Sequence, residues 1–468
     1  MLGKTRRVHF IGIGGIGMSG IAELLANLGY LVSGSDERRS RVTERLAALG
    51  IRIAYGHQPA NVGDADVVVM SSAVRAANPE LLEAGRRRIP IIPRAEMLAE
   101  LMRLRYAIAV AGSHGKTTTT SMIAFVLERA GLDPTAVIGG RVSAFGSNAR
   151  LGGGEYMVAE ADESDRSFLK LFPTIAVITN IDHEHLENYG GFADLQQAFA
   201  DFANRVPFFG SVVACADDPA LAEVLPRITR RVTTYGLASP VAEFTASEIA
   251  AQPMGMTAVV GRRALHGVTP SPAVEALGRL TLQVPGRHNL LNALATIAVT
   301  AELGIPFERA AAGLAEFRGA ERRFDVRGEP AGILVVDDYG HHPTEIAAVL
   351  EAARSLKRRI VVAFQPHRFS RTASLLDAFG PALAGADHII LTDIYSAGED
   401  PIPGITIDAL AAAVRRSVRA PVDVVAPLDQ IVPAVIRVAR AGDVVITLGA
   451  GSIGTIADQI VATLEGRS

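Results

Sequence analysis

A glycine-containing loop between an apolar run and a helical segment is the feature that most constrains the fold of this chain. The apolar residues 108–111 predict a buried strand, and residues 119–129 predict a helix. Glycines let backbone N–H groups approach anionic oxygens, the start of a helix favours negative charge, and lysine and threonine add a point charge and a magnesium ligand. The arrangement predicts an α/β domain whose loop binds nucleotide phosphates through Gly112, Ser113, His114, Gly115, Lys116, Thr117 and Thr118.

This loop is shorter than its common form, because Val110 stands where a further glycine is usual. A glycine turn with a purely structural role is the alternative. The lysine–threonine pair, placed between a strand and a helix, favours the phosphate-binding interpretation.

Length and composition limit the classes of protein to consider. A chain of 468 residues exceeds what one hydrophobic core usually serves, so we expect two or three domains. A net charge of -3 does not favour binding of a polyanion, so we expect no nucleic-acid partner. A single cysteine, an opening that leads into a strand, and apolar runs too short to cross a bilayer predict a cytoplasmic protein without membrane insertion. We separately expect a monomer or a weak homodimer.

Apolar runs and helical segments alternate through three blocks, which predicts an α/β fold of three domains. Residues 1–105 predict a Rossmann-like domain, and residues 106–319 a central domain with a mixed sheet like that of phosphate-loop ATPases. Within the central domain, residues 238–280 indicate shorter strands and turns. Residues 320–468 predict a second Rossmann-like domain.

A second glycine motif, Gly12, Gly14 and Gly17, follows the first strand and opens a helix. Asp36 lies 19 residues beyond Gly17, at the end of the next apolar segment. This spacing is typical of a dinucleotide site and suggests an NAD-dependent dehydrogenase. A nucleotide-sugar diphosphate satisfies the same geometry, because both ligands place a pyrophosphate at a helix start and a ribose near a carboxylate. Close packing of strand and helix is the third explanation.

Acidic and histidine-containing segments follow two strands of the central block. Residues 160–165 come directly after an apolar strand, at the sheet edge where α/β proteins build their sites. We assign Glu160 to a metal and treat Asp162, Glu163 and Asp165 as supporting residues. Residues 180–185 end the next strand in the same way, and His185 is a candidate neighbour of a metal or a substrate carboxylate. Zinc is the alternative, but oxygen-rich surroundings beside a phosphate loop favour magnesium.

Polar groups recur at three places in the last part of the chain. Residues 285–293 form a turn that leads into a helix, where polar groups could recognise a base or Asn289 could simply cap the helix. Residues 337–343 and 365–371 each end a strand, which predicts that both face one crevice. There Arg368 and Arg371 could clamp a phosphate or carboxylate, although surface salt bridges explain either arginine alone.

Taken together, these motifs resemble the Mur ligases, and the resemblance spans essentially the whole chain. It includes the glycine motif from Gly12, Ser71 to Val74, the phosphate loop and both acidic segments. It continues through residues 286–292, 337–345 and 367–371. The resemblance implies a first domain that binds the UDP part of a substrate, a central ATPase domain, and a last domain that closes over ATP and an amino acid.

The resemblance also implies roles for individual residues. Asn289 and Asn292 would face adenine beside His288, and Lys116 and Thr117 would serve the ATP phosphates and Mg²⁺. Glu160 and His185 would lie at the second metal and the substrate carboxylate. Arg323 would reach the ATP phosphates. Apart from the resemblance, we expect Arg322 to be an exposed partner of Glu321. The remaining catalytic residues would be His342, Arg368 and Arg371, and the substrate-binding residues Gly14, Gly15, Ile16, Gly17, Asp36, Ser71, Tyr339 and His341.

The activity that the resemblance implies is ATP-dependent ligation of L-alanine to the carboxylate of UDP-N-acetylmuramate, through an acyl phosphate, in peptidoglycan precursor synthesis. The version of the first motif in residues 14–20 favours alanine over the nearest alternative, a ligase that adds a preformed murein tripeptide to the same UDP-sugar. An NAD-dependent oxidoreductase leaves the phosphate loop unexplained. A non-catalytic nucleotide-binding protein of cell division is the third alternative.

Overall fold

The described part of the chain contains three β-sheets with helices between their strands, which confirms the predicted α/β fold class. The structure, a computed structural model, describes residues 4–71, 73–142, 147–266 and 269–466. The side chains of Ile16 and of residues 140–148 and 265–272 lie outside this description, as does Ser72 of the motif from Ser71 to Val74. Among the described residues, none of the helices is both long and apolar enough to cross a membrane.

The first sheet is parallel and has helices between its strands. The strands are β1 (Arg7–Ile11), β2 (Leu31–Asp36), β3 (Arg52–Tyr55), β4 (Val67–Met70) and β5 (Ile91–Pro93). The helices are α1 (Ile16–Asn27), α2 (Arg41–Ala48), α3 (Pro79–Arg86) and α4 (Arg94–Met102). The strand order is β3-β2-β1-β4-β5, so the chain reverses direction across the sheet beside β1. In open α/β sheets, ligands bind at the carboxyl ends of the strands at such a reversal.

The second sheet contains ten strands. Its first seven strands are β6 (Tyr106–Ala111), β7 (Thr135–Val142), β8 (Ser147–Arg150), β9 (Tyr156–Glu160), β10 (Ile175–Ile178), β11 (Ser211–Cys215) and β12 (Val232–Tyr235). The last three are β13 (Phe244–Gln252), β14 (Gly255–His266) and β15 (Thr269–Leu282). The helices of this part are α5 (Lys116–Arg129), α6 (Phe192–Asn204), α7 (Pro219–Val224), α8 (Arg287–Glu302) and α9 (Phe307–Glu316).

The strand order of the second sheet places the phosphate loop among the acidic segments. It is β15-β14-β13-β12-β11-β10-β6-β9-β7-β8, with β6 parallel to both of its neighbours and β7 antiparallel to β8. The prediction of short strands in residues 238–280 is wrong, since β14 and β15 have 12 and 14 residues. Glycines and prolines, which usually favour turns, obscure the strand pattern there.

The third sheet is parallel apart from its antiparallel first strand. Its strands are β16 (Asp325–Gly328), β17 (Leu334–Asp338), β18 (Ile360–Phe364), β19 (His388–Leu391), β20 (Val422–Val424) and β21 (Val444–Leu448). Its helices are α10 (Pro343–Arg354), α11 (Phe369–Ser374), α12 (Phe379–Leu383), α13 (Ile407–Ser417), α14 (Ile431–Val438) and α15 (Ile456–Glu465). The strand order is β16-β17-β21-β18-β19-β20. Alternate residues such as Val335 and Val336 enter separate cores on the two faces, as in a doubly wound sheet.

Packing divides the chain into two compact units. One comprises Met1–Ser247, Val259–Leu280 and Leu291–Phe317, and the other comprises Glu248–Ala258, Thr281–Leu290 and Arg318–Ser468. Residues 1–105 and most of residues 106–319 thus share one unit, whereas residues 248–258 and 281–290 of the predicted central domain lie in the other. Their boundary at 105/106 and the boundary at 319/320 stay predictions.

Candidate functional site

The predicted phosphate loop joins the end of β6 to the first residue of α5, Lys116. Gly112 and Gly115 have φ values of 135° and 82°, which residues with side chains rarely adopt. Space is also restricted, since a Cβ on Gly112 would lie 2.0 Å from Thr179 Oγ1 and one on Gly115 would lie 2.8 Å from Asn292 Oδ1. The loop therefore requires glycine at both positions.

Residues after β10 hold this loop in place. The His114 backbone N–H donates to Asn180 Oδ1 at 2.8 Å, and its carbonyl accepts from Thr179 Oγ1 at 2.6 Å. Ser113 Oγ accepts from the backbone N–H of Asp182 at 2.8 Å. The side chains of His114 and Asp182 also meet, with Nε2 2.8 Å from Oδ2. The phosphate loop and the segment of residues 180–185, which the sequence predicted as separate motifs, are therefore joined by hydrogen bonds.

Lys116 is held by the loop and by Glu163. Its Nζ donates to Gly112 O at 2.6 Å, to Ser113 O at 3.2 Å and to Glu163 Oε1 at 2.8 Å. Burial disfavours the charged lysine, but the nearby carboxylates outweigh burial and raise the pKa of Lys116 above its usual value. Burial raises the pKa of Glu163 to about 7, although Lys116 opposes this shift. Glu163 Oε2 is buried and has no hydrogen-bond partner among the described residues.

The predicted metal ligands Thr117, Glu160 and His185 lie at the carboxyl ends of three adjacent strands. Thr117 is the second residue of α5, after β6; Glu160 ends β9; and His185 follows β10. Glu160 Oε1 accepts from the backbone N–H of Gly139 at 2.6 Å. His185 has a φ of 58°, and its ring nitrogens lie 4.0 Å from Glu184 Oε2 and 3.8 Å from Glu187 Oε1. The strand order brings these donors to one sheet edge, and oxygen atoms predominate among them.

The glycine motif of the first sheet forms a loop held by the end of β2. Gly14 N–H donates to Asp36 Oδ2 at 2.8 Å, and Gly15 is the residue before α1. Ile16 is the first residue of α1, and its side chain lies outside the described part of the structure. A Cβ on Gly12 would lie 3.3 Å from that of Ser71, which follows β4. The structure thus brings Ser71 and Asp36 to the loop.

Arg94 lies between two predicted site segments, and the sequence patterns did not identify it. A Cβ on Gly17 would lie 2.9 Å from Arg94 Nη1, and Arg94 Nη2 donates to Asp162 Oδ2 at 3.4 Å. Burial opposes the charge of Asp162, yet Lys116, hydrogen bonds with Ser164 and Arg94 lower its pKa below the usual value. Arg94 therefore connects the first glycine loop with the acidic segment. Its position directly after β5, at a carboxyl strand end, is the signal that could have identified it.

The ends of β17 and β18 form an aromatic cluster within the second unit. The ring centroid of His341 lies 5.5 Å from those of Tyr339 and His367, and His367 stacks on Tyr395 at 5.4 Å. Burial lowers the pKa of His341 to about 3 and that of His367 to about 4, so both rings are neutral at neutral pH. The two predicted segments meet, as expected of one crevice, although β21 lies between their strands.

The predicted basic residues of the second unit have individual partners. Arg371 Nη1 lies 3.2 Å from His367 Nδ1, and Arg368, with a φ of 71°, directly precedes α11. His342 directly precedes α10, and its Nδ1 accepts from the backbone N–H of Thr344 at 3.4 Å. Arg323 Nη1 donates to Glu345 Oε1 at 3.4 Å.

The prediction that Arg322 is an exposed partner of Glu321 is wrong. Arg322 Nε donates to the fully buried Asp337 at 2.8 Å, and its guanidinium lies over the ring of Tyr339. The strand β17 places the Asp337 carboxylate beside Arg322. The residues next to Arg322 in the sequence do not reveal this contact.

The residues predicted for a base lie in the first part of α8. Asn289 is inside the helix, where its Nδ2 donates to Pro285 O at 2.7 Å; it is not the capping residue before the helix. Burial lowers the pKa of His288 to about 4, and the charge of Arg323 contributes. Asn292, which belongs to the first unit, accepts from Thr119 Oγ1 at 3.1 Å.

Comparisons with known proteins match all three sheets to one family. The model described as Mur ligase family, catalytic domain, matches residues 7–106; Mur ligase middle domain matches residues 110–300; and Mur ligase, glutamate ligase domain, matches residues 322–451.

Two curated relatives cover nearly the whole chain. The UDP-N-acetylmuramate–L-alanine ligase of Geobacter sp. (strain M21) is 53% identical over 467 residues, covering 99% of both chains. The ligase of the same name from Anaeromyxobacter dehalogenans (strain 2CP-C) is 54% identical over 463 residues, covering 99% of this chain and 98% of the relative.

Solved structures show the same similarity. The crystal structure of UDP-N-acetylmuramate-alanine ligase MurC from Thermotoga maritima matches with a TM-score of 0.82 and 30% identity, covering 99% of this chain and 100% of that one. A murein peptide ligase from Psychrobacter arcticus matches with a TM-score of 0.70 and 25% identity, covering 98% of each chain.

Proposed function

The chain belongs to the Mur ligase family, and we propose that it uses ATP to join L-alanine to the carboxylate of UDP-N-acetylmuramate. The products are UDP-N-acetylmuramoyl-L-alanine, ADP and phosphate, in the synthesis of peptidoglycan precursors. The observation that carries this proposal is the identity of more than half of all residues, over 99% of the chain, with relatives named for this activity.

ATP is required because an amine does not displace oxide from a carboxylate at neutral pH. In the proposed reaction, a carboxylate oxygen of the muramoyl group attacks the γ-phosphorus, ADP leaves, and an acyl phosphate results. The L-alanine amine then attacks the acyl carbon, loses a proton and expels phosphate. Lys116 stabilises the negative charge that develops as the phosphoryl group transfers.

The phosphate loop fits this role because Gly112 and Gly115 give it a backbone that residues with side chains rarely adopt, and the charged Lys116 lies against the loop carbonyl groups. Thr117, Glu160 and His185 would hold Mg²⁺, which their mainly oxygen-donor chemistry suits. Bound Mg²⁺ would neutralise part of the phosphate charge. His288, Asn289 and Asn292 are our candidates for adenine.

The other predicted site residues are assigned to the UDP-sugar, the amino acid and the ATP phosphates. Gly14, Gly15, Ile16 and Gly17 would receive the diphosphate of the UDP-sugar at the start of α1, with Asp36 and Ser71 beside them. In the second unit, Tyr339, His341, His342, Arg368 and Arg371 would serve the amino acid and the carboxylate, and Arg323 the ATP phosphates. The neutral state of His341 leaves a ring nitrogen able to accept a hydrogen bond from the amine.

A tripeptide ligase is the second candidate, favoured by the similarity to the murein peptide ligase structure. The test measures ADP release with ATP, Mg²⁺ and UDP-N-acetylmuramate in three parallel reactions, containing L-alanine, the murein tripeptide or no amine. Mass spectrometry identifies the product. We expect alanine-dependent turnover and a product heavier by one alanyl residue. Preference for the tripeptide would assign the second function, and no turnover with either amine would contradict both.

A further inference from the structure

A buried carboxylate on helix α3, beside the first sheet, is not used in the proposed reaction. Glu80, on the first turn of α3, is fully buried. Its Oε2 lies 2.7 Å from His9 Nε2 and 2.9 Å from Ser35 Oγ. Its Oε1 lies 2.9 Å from His57 Nδ1 and 3.1 Å from Asn61 Nδ2. Four donors therefore surround the carboxylate, two on each oxygen, and we call these five residues the Glu80 network.

The charge of Glu80 determines which ring nitrogens donate to it. Burial opposes the charge of Glu80, but the hydrogen bonds from its four partners lower its pKa below the usual value. An ionised carboxylate only accepts hydrogen bonds, so His9 carries a hydrogen on Nε2 and His57 carries one on Nδ1. The second ring nitrogen of His9, Nδ1, lies 2.9 Å from Ser33 Oγ. Both oxygens of the buried carboxylate thus accept hydrogen bonds from named donors.

The network joins four separate segments in and beside the first sheet. His9 lies on β1, Ser35 on β2, and His57 follows β3, whereas Glu80 belongs to the helix after β4. Taking a carboxylate out of water is costly, and apolar side chains often stabilise a core at least as well. A buried carboxylate with four donors instead specifies the relative positions of the elements that supply them.

Ser35 links the Glu80 carboxylate to the glycine loop through hydrogen bonds. Its side chain donates to Glu80, and its carbonyl oxygen accepts from the backbone N–H groups of Gly12 at 2.9 Å and Ile13 at 3.0 Å. The next residue, Asp36, binds the N–H of Gly14 through its carboxylate. The orientation of three successive amides in the loop therefore depends on the end of β2.

Asn61 supports the same strand end from the other side. Its Nδ2 donates to Glu80 and also to the carbonyl of Gly56 at 3.0 Å. Gly56 N–H in turn donates to the carbonyl of Asp36 at 2.9 Å. Glu80 is thus linked to Asp36 along two routes, one through Ser35 and one through Asn61 and Gly56.

We propose that Glu80 is a positioning residue for the UDP-sugar: it holds Ser35 and Asn61 so that Asp36 and the first glycine loop keep their binding arrangement. This inference rests on the proposed function of that loop. Because the network lies within the first sheet, its loss should weaken binding of the UDP-sugar and leave ATP and L-alanine unaffected.

The test compares Glu80→Gln, which removes the charge at nearly constant volume, with the matched control Glu83→Gln. Glu83 lies on the same helix, and its carboxylate pairs with the exposed Arg86. Steady-state ADP release gives kcat and the three KM values, and calorimetry measures binding of UDP alone and of ATP alone. For Glu80→Gln we expect the KM for UDP-N-acetylmuramate and the Kd for UDP each to rise about tenfold. The kcat and the KM for ATP should stay within about twofold of the wild-type values. Glu83→Gln should match the wild type.

An unchanged KM for the UDP-sugar, or equal losses for all three substrates, would overturn the positioning role. If Glu80→Gln lacks a cooperative thermal transition, Ser35→Ala decides, since it removes one donor and should raise the same KM selectively. Wild-type protein that binds UDP without turning over the UDP-sugar would contradict the proposed function only, and the UDP affinities of the variants would still test Glu80. Wild-type protein that does not bind UDP would overturn the positioning role itself.

Discussion

At the scale of single residues, Lys116 and Glu163 define the chemistry of the central loop. The lysine is charged and has three acceptors, while its partner carboxylate is buried, with a pKa raised to about 7. The sequence identifies the lysine through the loop motif, but it does not show which acidic residue of 160–165 approaches it. A phosphate that recruits Lys116 would take it from Glu163, which then becomes easier to protonate.

Lys116→Ala should abolish ADP formation, because no other residue of the loop carries a full positive charge. The control is Lys170→Ala, whose Nζ lies 3.7 Å from Glu96 on the surface. We expect the control to retain wild-type ADP release. Near-normal turnover of Lys116→Ala would contradict the assigned role.

The same variant should depend on pH in a defined direction. Without the lysine, Glu163 is a buried carboxyl whose pKa rises further above its unfolded value, so the folded state binds the extra proton. A group with a raised pKa stabilises the fold below its unfolded pKa, and this stability is lost as the pH rises. Lys116→Ala should therefore lose more thermal stability relative to the wild type at pH 8 than at pH 6, as measured by thermal unfolding. An equal loss at both values would contradict the burial of Glu163.

At the scale of elements, β6, its loop and α5 form one unit whose backbone requires glycine. Gly112 and Gly131, before and after α5, both have positive φ values, but only Gly112 has a neighbour where a Cβ would stand. Local sequence predicts this strand-loop-helix unit, whereas the contact with Thr179 depends on the adjacent strand β10.

Gly112→Ala should lower kcat at least about 100-fold, because the added carbon displaces the loop from Thr179 and misplaces Lys116. Gly131→Ala is the matched control: it has backbone strain of about 1 kcal/mol and no steric conflict. It should unfold at a lower temperature with kcat nearly unchanged. Equal kcat values for the two variants would show that the space around Gly112 is not important.

At the scale of the whole molecule, the chain combines three α/β sheets with two packing units. The second unit contains the neutral pair His341 and His367, whose pKa values burial lowers to about 3 and about 4. An unfolded histidine has a pKa of about 6.5, so between these values the unfolded chain binds more protons. The stability that the neutral rings provide is present above pH 6.5 and is lost as the pH falls towards 4.

Replacing His341 with Gln should therefore reduce the loss of thermal stability between pH 7 and pH 5 compared with the wild type. The exposed His183, whose ring stacks on Phe192, provides the control His183→Gln, which should keep the wild-type pH dependence. Thermal unfolding at several pH values measures both. Identical pH dependence of all three proteins would contradict the burial of a neutral imidazole at position 341.

The sequence by itself determined the elements whose signals are local. A few neighbouring residues are enough to identify the glycines Gly112 and Gly115, the lysine at the start of a helix and the short apolar strands. Backbone conformation and the spacing of apolar residues along an element are local properties. The fold class followed from the alternation of these elements. The long strands β14 and β15 were missed because glycine and proline within them are also local signals, and they indicate turns.

Only the tertiary structure decided which distant residues meet. Arg94 reaches Asp162 across 68 positions, and His9 reaches Glu80 across 71. Likewise, Arg322 meets Asp337 and not its neighbour Glu321. These pairs depend on strand order and on the packing of helices against the sheets, which bring chain segments together irrespective of their separation in sequence. A side chain therefore reveals its chemical type in the sequence, but its charge state and partner follow from the residues that the fold places around it.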